Sequence, residues 1–212
     1  MDCCHRDSLD KLFDNKRAQN DLKEYQKKGP SKTTHLLIEG LIGEGIADKT
    51  LLDIGGGIGA IQHELIKAGA YHAVGVDASN AYLAIARAEA ERQNHADQVT
   101  HHYGDFVELA PDLEPTDVVT LDRSICCYPD MPALVGKSST LAQQLYGLVY
   151  PRDVWWIKVI AKFLNSYFWL TRDPYRFFVH AAEEVDAIVR TNGFKQVSRR
   201  QTPLWQVVIY AR

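Results

Sequence analysis

Leu51-Leu52-Asp53-Ile54-Gly55-Gly56-Gly57-Ile58-Gly59-Ala60 decides how the rest of the chain is read. An apolar run that closes on an acid and passes at once into glycines describes a strand turning sharply into a helix beneath a nucleotide-type ligand. Glycines at 55, 57 and 59 give the backbone the freedom to make that turn and let a ligand approach main chain, which side chains there would block. The spacing is not that of a dinucleotide fingerprint, whose third glycine falls two residues further on to seat a pyrophosphate. Gly59 comes too early for that, and no glycine stands at 60.

Downstream, a helix over 61–68 leads to the strand Ala73-Val74-Gly75-Val76-Asp77, whose acid lies 24 residues after Asp53. A strand from about Val99 then closes at Gly104-Asp105-Phe106. Each piece has a plainer structural reading. The glycines describe a tight turn, Asp77 competes with Ser79 as cap of the helix starting at Asn80, and Asp105 reads as a solvated strand-end acid. Three acidic strand ends in order, at this spacing, favour a cofactor site over three coincidences.

Around this segment the periodicity alternates. Leu9, Leu12, Phe13, Leu22 and Tyr25 recur at helical spacing until Gly29-Pro30, and Ser31 caps a second helix carrying Leu37, Ile38, Leu41 and Ile42, which ends at Gly43 and Gly45. From Thr50 the order is strand, helix, strand, helix, strand, followed by strands over 117–121 and 145–150 and helices over 154–170 and 181–192. Alternation of this kind predicts an α/β fold, a mostly parallel Rossmann-like sheet with helices on both faces. Phe194 to Arg200 and Leu204 to Tyr210, joined by Gln201-Thr202-Pro203, predict an antiparallel closing hairpin. The 212 residues fit one domain, with residues 1–45 as a helical cap on a core over 46–212. A formal net charge of −3 argues against a nucleic-acid partner. The N-terminus has no secretory pattern and no run of 18 apolar residues exists, so the reading is a cytoplasmic protein without an integral membrane segment. The oligomeric state is not legible.

Asp53 to Gly59 resembles motif I of the class I S-adenosylmethionine-dependent methyltransferases, and the likeness extends over about residues 48 to 212. It implies S-adenosylmethionine as cofactor and S-adenosylhomocysteine as product. Asp77 resembles the motif II carboxylate that accepts from both ribose hydroxyls. Asp105 and Phe106 resemble motif III, where the acid accepts from the adenine amino group. The resemblance thus assigns to the cofactor Asp53, Gly55, Gly56, Gly57 and Gly59 of the turn, Asp77 with Ala78, Asp105 with Phe106, and Asp122 at the end of the fourth strand.

Substrate must then enter over the carboxyl ends of strands four and five. The Asn- or Asp-Pro-Pro-aromatic motif of base amino methyltransferases is missing after strand four, where Asp122-Arg123-Ser124-Ile125-Cys126-Cys127-Tyr128-Pro129-Asp130 stands instead. Residues 145–194 resemble, more weakly, the magnesium-protoporphyrin methyltransferases: a Tyr-Pro after strand four, a proline after strand five, a long aromatic helix and Arg176-Phe177-Phe178-Val179-His180. The cysteines Cys3-Cys4 and Cys126-Cys127 depart from that family. They match instead a group of bacterial methyltransferases with an N-terminal Cys-Cys and a Cys-Cys-Tyr-Pro-Asp segment. The porphyrin substrate is therefore not carried over, and a small molecule methylated on oxygen is the expectation.

His180 reads either as a side chain satisfying free N–H groups at a helix start or as an acid or base near neutrality. Tyr128 is the second candidate for the chemistry, while Tyr25, Arg123, Arg152 and Arg176 are candidates for the substrate; each also reads as packing or surface charge. The aromatics of the helix over 154–170 read first as the face packed on the sheet, and otherwise as a pocket wall or membrane-surface contact. The adjacent cysteines, taken as extended chain, point to opposite faces and do not match zinc spacing. They read as reduced spectators, or else as thiols that meet over the site and hold a soft ligand such as trivalent arsenic. No divalent metal is expected, because Asp122 and Asp130 pair with no histidine at ligand spacing. Two alternatives stay beside oxygen methylation: a thiol-dependent metalloid methyltransferase, and a cofactor-binding protein without catalysis.

Overall fold

The computed structural model describes residues 14–173 and 175–212. Cys3, Cys4, Leu9, Leu12 and Phe13 lie outside them. Helix α1 (Asn15–Lys28) is capped by Asp14, whose side chain accepts from Arg17 N–H, and ends at Gly29 with φ of 76°. Helix α2 (Lys32–Gly43) starts at Ser31, which accepts from Thr34 N–H, as the sequence predicts.

The sheet follows from there: β1 (Thr50–Ile54), α3 (Ala60–Lys67), β2 (His72–Asp77), α4 (Asn80–Arg92), β3 (Val99–Tyr103), the single turn α5 (Phe106–Leu109) and β4 (Thr116–Asp122). A 3-10 turn over Ile125–Cys127 precedes α6 (Met131–Leu141), β5 (Ala142–Pro151), α7 (Trp155–Leu170), α8 (Ala182–Thr191), β6 (Lys195–Gln201) and β7 (Trp205–Ala211). The seven strands lie in the order β3-β2-β1-β4-β5-β7-β6. The first five are parallel neighbours and β7 runs antiparallel to both β5 and β6, which bears out the Rossmann-like sheet and its closing hairpin. The chain order reverses between β1 and β4, so a crevice opens above their carboxyl ends.

Both faces of the sheet are covered. Leu37 and Leu41 of α2 pack with Leu65 of α3 against Leu51, Val118 and Ile209. Leu134 and Val135 of α6, with Val185 and Val189 of α8, cover Leu52, Val119 and Tyr146 on the other face. Helix α6 escapes the periodicity reading because Gly136, Ser138, Ser139 and Thr140 interrupt its apolar stripe; buried Ser138 and Ser139 return their hydroxyls to carbonyls one turn back. Helix α7 departs from expectation in its packing. Only Ile157 and Ala161 are buried. Trp155, Phe163 and Trp169 are 76%, 74% and 72% exposed, so its aromatic face lies outside the core. Among the described residues, no helix is long and apolar enough to cross a membrane.

Candidate active site

The glycine turn leaves β1 with φ of 68° at Gly55, 57° at Gly57 and 81° at Gly59. A side chain in that left-handed region costs about 1–2 kcal/mol. Gly56 is a glycine for another reason: a Cβ there would lie 2.5 Å from Asp53 Oδ2 and 2.6 Å from Gln62 Nε2. Those two groups belong to a network beneath the turn. Asp53 is fully buried and accepts from Thr120 Oγ1 at 2.7 Å and Gln62 Nε2 at 3.0 Å. Thr120 is its register partner across the β1–β4 pair. Burial pushes the Asp53 carboxyl up to about 6; the bonds from Thr120 and Gln62 oppose the rise, and repulsion from Asp122 and Asp77 adds to it.

The other strand ends converge on the same turn. Asp77 Oδ2 accepts from Gly57 N–H at 2.9 Å and Oδ1 from Ser79 N–H at 2.8 Å, so this carboxylate holds the glycine turn in place. Ser79, not Asp77, caps α4. Asp105 caps α5 through Val107 N–H and accepts the Tyr128 hydroxyl at 3.0 and 3.1 Å on its two oxygens. Burial and the Asp105 charge raise the Tyr128 pKa, so its hydroxyl keeps its proton. Asp122 accepts from Thr34 Oγ1 at 2.5 Å and from Arg123 Nε at 3.1 Å, tying α2 to the end of β4.

A cavity of about 800 Å³ opens above these groups. Asp53, Gly55, Gly56 and Gly57 line its base, with Asp77, Ala78, Asp105, Phe106 and Asp122 around it. Arg123, Cys126, Cys127 and Tyr128 form the side after β4, and Tyr25 faces them from α1. Four expected residues stand elsewhere. Gly59 serves the turn as N-cap of α3 and does not line the cavity. Arg152 donates to the carbonyls of Thr202 and Pro203, both at 3.4 Å, at the hairpin link. Arg176 donates to those of Asp173 and Tyr175, both at 2.6 Å. These carbonyls lie at a hairpin link or in irregular chain, where no ladder supplies N–H donors, and the guanidinium groups take that place. His180 Nε2 lies 3.1 Å from Ile125 O and 3.2 Å from Tyr128 O, which requires the proton on that nitrogen. Burial lowers its pKa and the two carbonyls act against that. From the same segment it is Tyr175 and Phe177 that reach the cavity.

The sequence reading missed the supports: Gln62 and Thr120 under Asp53, Ser124 against Gly55, and Thr34 on Asp122. Ser124 Oγ donates to Ile54 O at 2.8 Å and fills the space where a Cβ on Gly55 would go. The cysteine geometry is a correction. Cys126 and Cys127 sit in a helical turn and not in extended chain, so their sulfurs are 3.7 Å apart and both line the cavity. Cys126 Sγ also donates to Arg123 O at 3.0 Å, and Cys127 Sγ lies 3.1 Å from the Tyr175 hydroxyl. The bond between the thiols raises the Cys126 pKa, with burial adding to it, and lowers that of Cys127.

Residues 51–143 match a family model described as "Methyltransferase domain". This segment is similar to a methyltransferase domain. It covers β1 to the first residues of β5, and so the glycine turn, the ends of β2 and β4 and the chain after β3 that line the cavity. The whole chain carries the fold of the class I methyltransferases. Magnesium protoporphyrin IX methyltransferase from Synechocystis PCC 6803, crystallised with bound SAH, superimposes with a TM-score of 0.76 at 18% identity, covering 98% of this chain and 99% of that one. An O-methyltransferase family protein from Burkholderia thailandensis gives 0.70 at 14% identity over 95% of this chain and 61% of its own. An S-adenosylmethionine dependent methyltransferase from Mesorhizobium loti gives 0.65 at 14%, over 86% and 99%. At such identities the likeness is one of fold. No curated protein matches the chain in sequence.

Proposed function

We propose that this chain transfers the methyl group of S-adenosylmethionine to an oxygen, a carboxylate or hydroxyl, of a small molecule held against the loop after β4. The observation that carries this is the convergence of Gly55 to Gly57, Asp77, Asp105 and the segment Arg123 to Tyr128 on one cavity at the switch point of the sheet. The residues fit the cofactor. Gly55 to Gly57 expose main chain, Phe106 offers an apolar surface beside the Asp105 acceptor, and buried Asp53 with Asp122 supplies negative charge near a cation.

Bound S-adenosylmethionine supplies an electrophilic methyl group on a sulfonium. The chain's own part is orientation and exclusion of water, which together supply most of the acceleration of an in-line displacement between charged reactants. Asp77 and Asp105 bind the ribose and adenine; Arg123, at the cavity wall, holds an anionic acceptor. Its backbone is fixed for this at φ of 59° by a 2.8 Å bond from its N–H to Val149 O. Tyr128 acts as a wall fixed by Asp105. His180 positions the 125–128 turn and transfers no proton. Within the expected cap, helix α1 covers the cavity while α2 packs on the sheet.

Calorimetry with S-adenosylhomocysteine tests the cofactor assignment. Asp77→Ala loses the ribose contacts and the hold on Gly57, so affinity falls at least tenfold; unchanged affinity would sink it. Labelled-methyl transfer to a panel of small acids and phenols tests the acceptor. That His180 is bonded to the Ile125 and Tyr128 carbonyls and does not line the cavity favours one second reading, a cofactor-binding protein without catalysis. Tight cofactor binding with no transfer to any member of the panel would select it.

A further inference from the structure

We propose that Cys126 and Cys127 together form a two-thiol site, inside the cavity, for a monosubstituted trivalent arsenical. Adjacent cysteines point apart in extended chain, and the 3-10 turn over Ile125–Cys127 brings their sulfurs to 3.7 Å. A trivalent, pyramidal centre with bonds of about 2.3 Å to sulfur sets its two sulfurs roughly 3.3–3.5 Å apart, a few tenths of an ångström closer than the two thiols stand here. The pair therefore reaches chelating distance through a small side-chain adjustment, with the turn unchanged.

The turn is also held from outside. His180 Nε2 donates to Ile125 O and Tyr128 O, and Phe178 N–H donates to Cys126 O at 2.8 Å. Little order remains to be imposed on binding, which favours capture. Two thiols meet the full coordination need of one class of ligand. Zinc takes four ligands in a closed site. Among the described residues, no group of three or more His, Cys, Asp or Glu side chains stands close enough to hold a metal ion. An organoarsenical R–As=O needs only two thiols. Each thiol sulfur forms a bond to arsenic, the arsenic–oxygen bond breaks, and both thiol protons leave with that oxygen as water. Arsenic stays trivalent and no oxidant or reductant takes part.

The probe is phenylarsine oxide, followed by native mass spectrometry with a phosphine reductant, in a Cys3→Ser/Cys4→Ser background that removes the other cysteine pair. The expected result is one adduct per chain, with the mass of the reagent less one water, and two fewer thiols open to N-ethylmaleimide. Excess 2-mercaptoethanol should leave the adduct in place and a small dithiol should strip it. Cys127→Ser, at the half-buried position, and Cys126→Ala should each abolish capture while melting curves report that the fold persists. An unmodified background protein, or a Cys127→Ser variant that still captures the reagent against monothiol, would overturn the site. S-adenosylhomocysteine titrations of the same proteins report separately on the cofactor reading, on which this inference does not rest.

Discussion

Asp53 is the residue whose environment explains most about the turn above it. A carboxylate sealed from water is costly, and two hydrogen bonds do not offset that here, so its pKa rises to about 6 from an ordinary value of about 3.9. The sign of the effect on stability follows. The native state keeps the proton to a higher pH than the unfolded chain does. The contribution is therefore intact below about pH 4 and is lost as pH rises through about 6, by roughly 2–3 kcal/mol. Asp53→Asn removes the charge while its oxygen still accepts from Thr120, and Gln62, whose Oε1 has no partner, gains one by flipping its amide. Denaturation of the ligand-free protein should show the variant gaining about 2–3 kcal/mol relative to wild type between pH 4 and pH 8. Parallel stability curves would mean that Asp53 is charged throughout. This residue's position was legible in the sequence, because an acid ending an apolar run before glycines has few other uses. Its partners were not: Gln62 reads as an ordinary helix residue, and Thr120 becomes its neighbour only through strand register.

At the scale of elements, the informative pair is the turn over 125–127 and the irregular segment from Tyr175 to Ala181. Neither has a repeating ladder, so each completes the other's hydrogen bonds through His180 and Phe178. Sequence reasoning found the strands and most helices, because apolar periodicity and glycine breaks are local signals. It failed for α6, whose stripe is broken by small hydroxyl residues, and for the thiol pair, whose conformation is set by contacts more than 45 residues away along the chain. The same contacts separate two roles for His180. His180→Ala leaves the Ile125 and Tyr128 carbonyls short of a donor at a cost of about 1–3 kcal/mol. The melting temperature should fall by about 2–12 °C. Methyl transfer should weaken with the shape of its pH profile intact, and His180→Gln, whose amide can donate, should recover part of both. A lost neutral-pH limb with no change in melting temperature would restore His180 as an acid or base.

For the whole molecule, the question is why, among the described residues, two helices precede the first strand of the sheet. Helix α2 is a core element, since Leu37 and Leu41 are fully buried against the sheet. Helix α1 is different. Its Ala18 and Tyr25 form a small separate cluster with Ile58 of the glycine turn and Tyr82 of α4. Tyr25 OH donates to Glu64 at 2.7 Å, Gln26 Nε2 to Glu89 at 2.9 Å, and Tyr82 OH to Asp21. Arg17, Asp21, Glu24 and Lys28 join Tyr25 in lining the cavity. This helix thus closes the site over the glycine turn and contributes little to the sheet's own core. Removing residues 1–28 should leave the sheet folded, because neither of its two large clusters draws on the described residues 14–28. It should also uncover Ile58 and Tyr82 and admit water to the cavity. Circular dichroism should show a cooperative melt. Calorimetry should show S-adenosylhomocysteine binding at least tenfold weaker, and transfer to any accepted substrate should be lost. A truncated protein with full affinity and full transfer would mean that α1 is an appendage and that the cavity closes by other means.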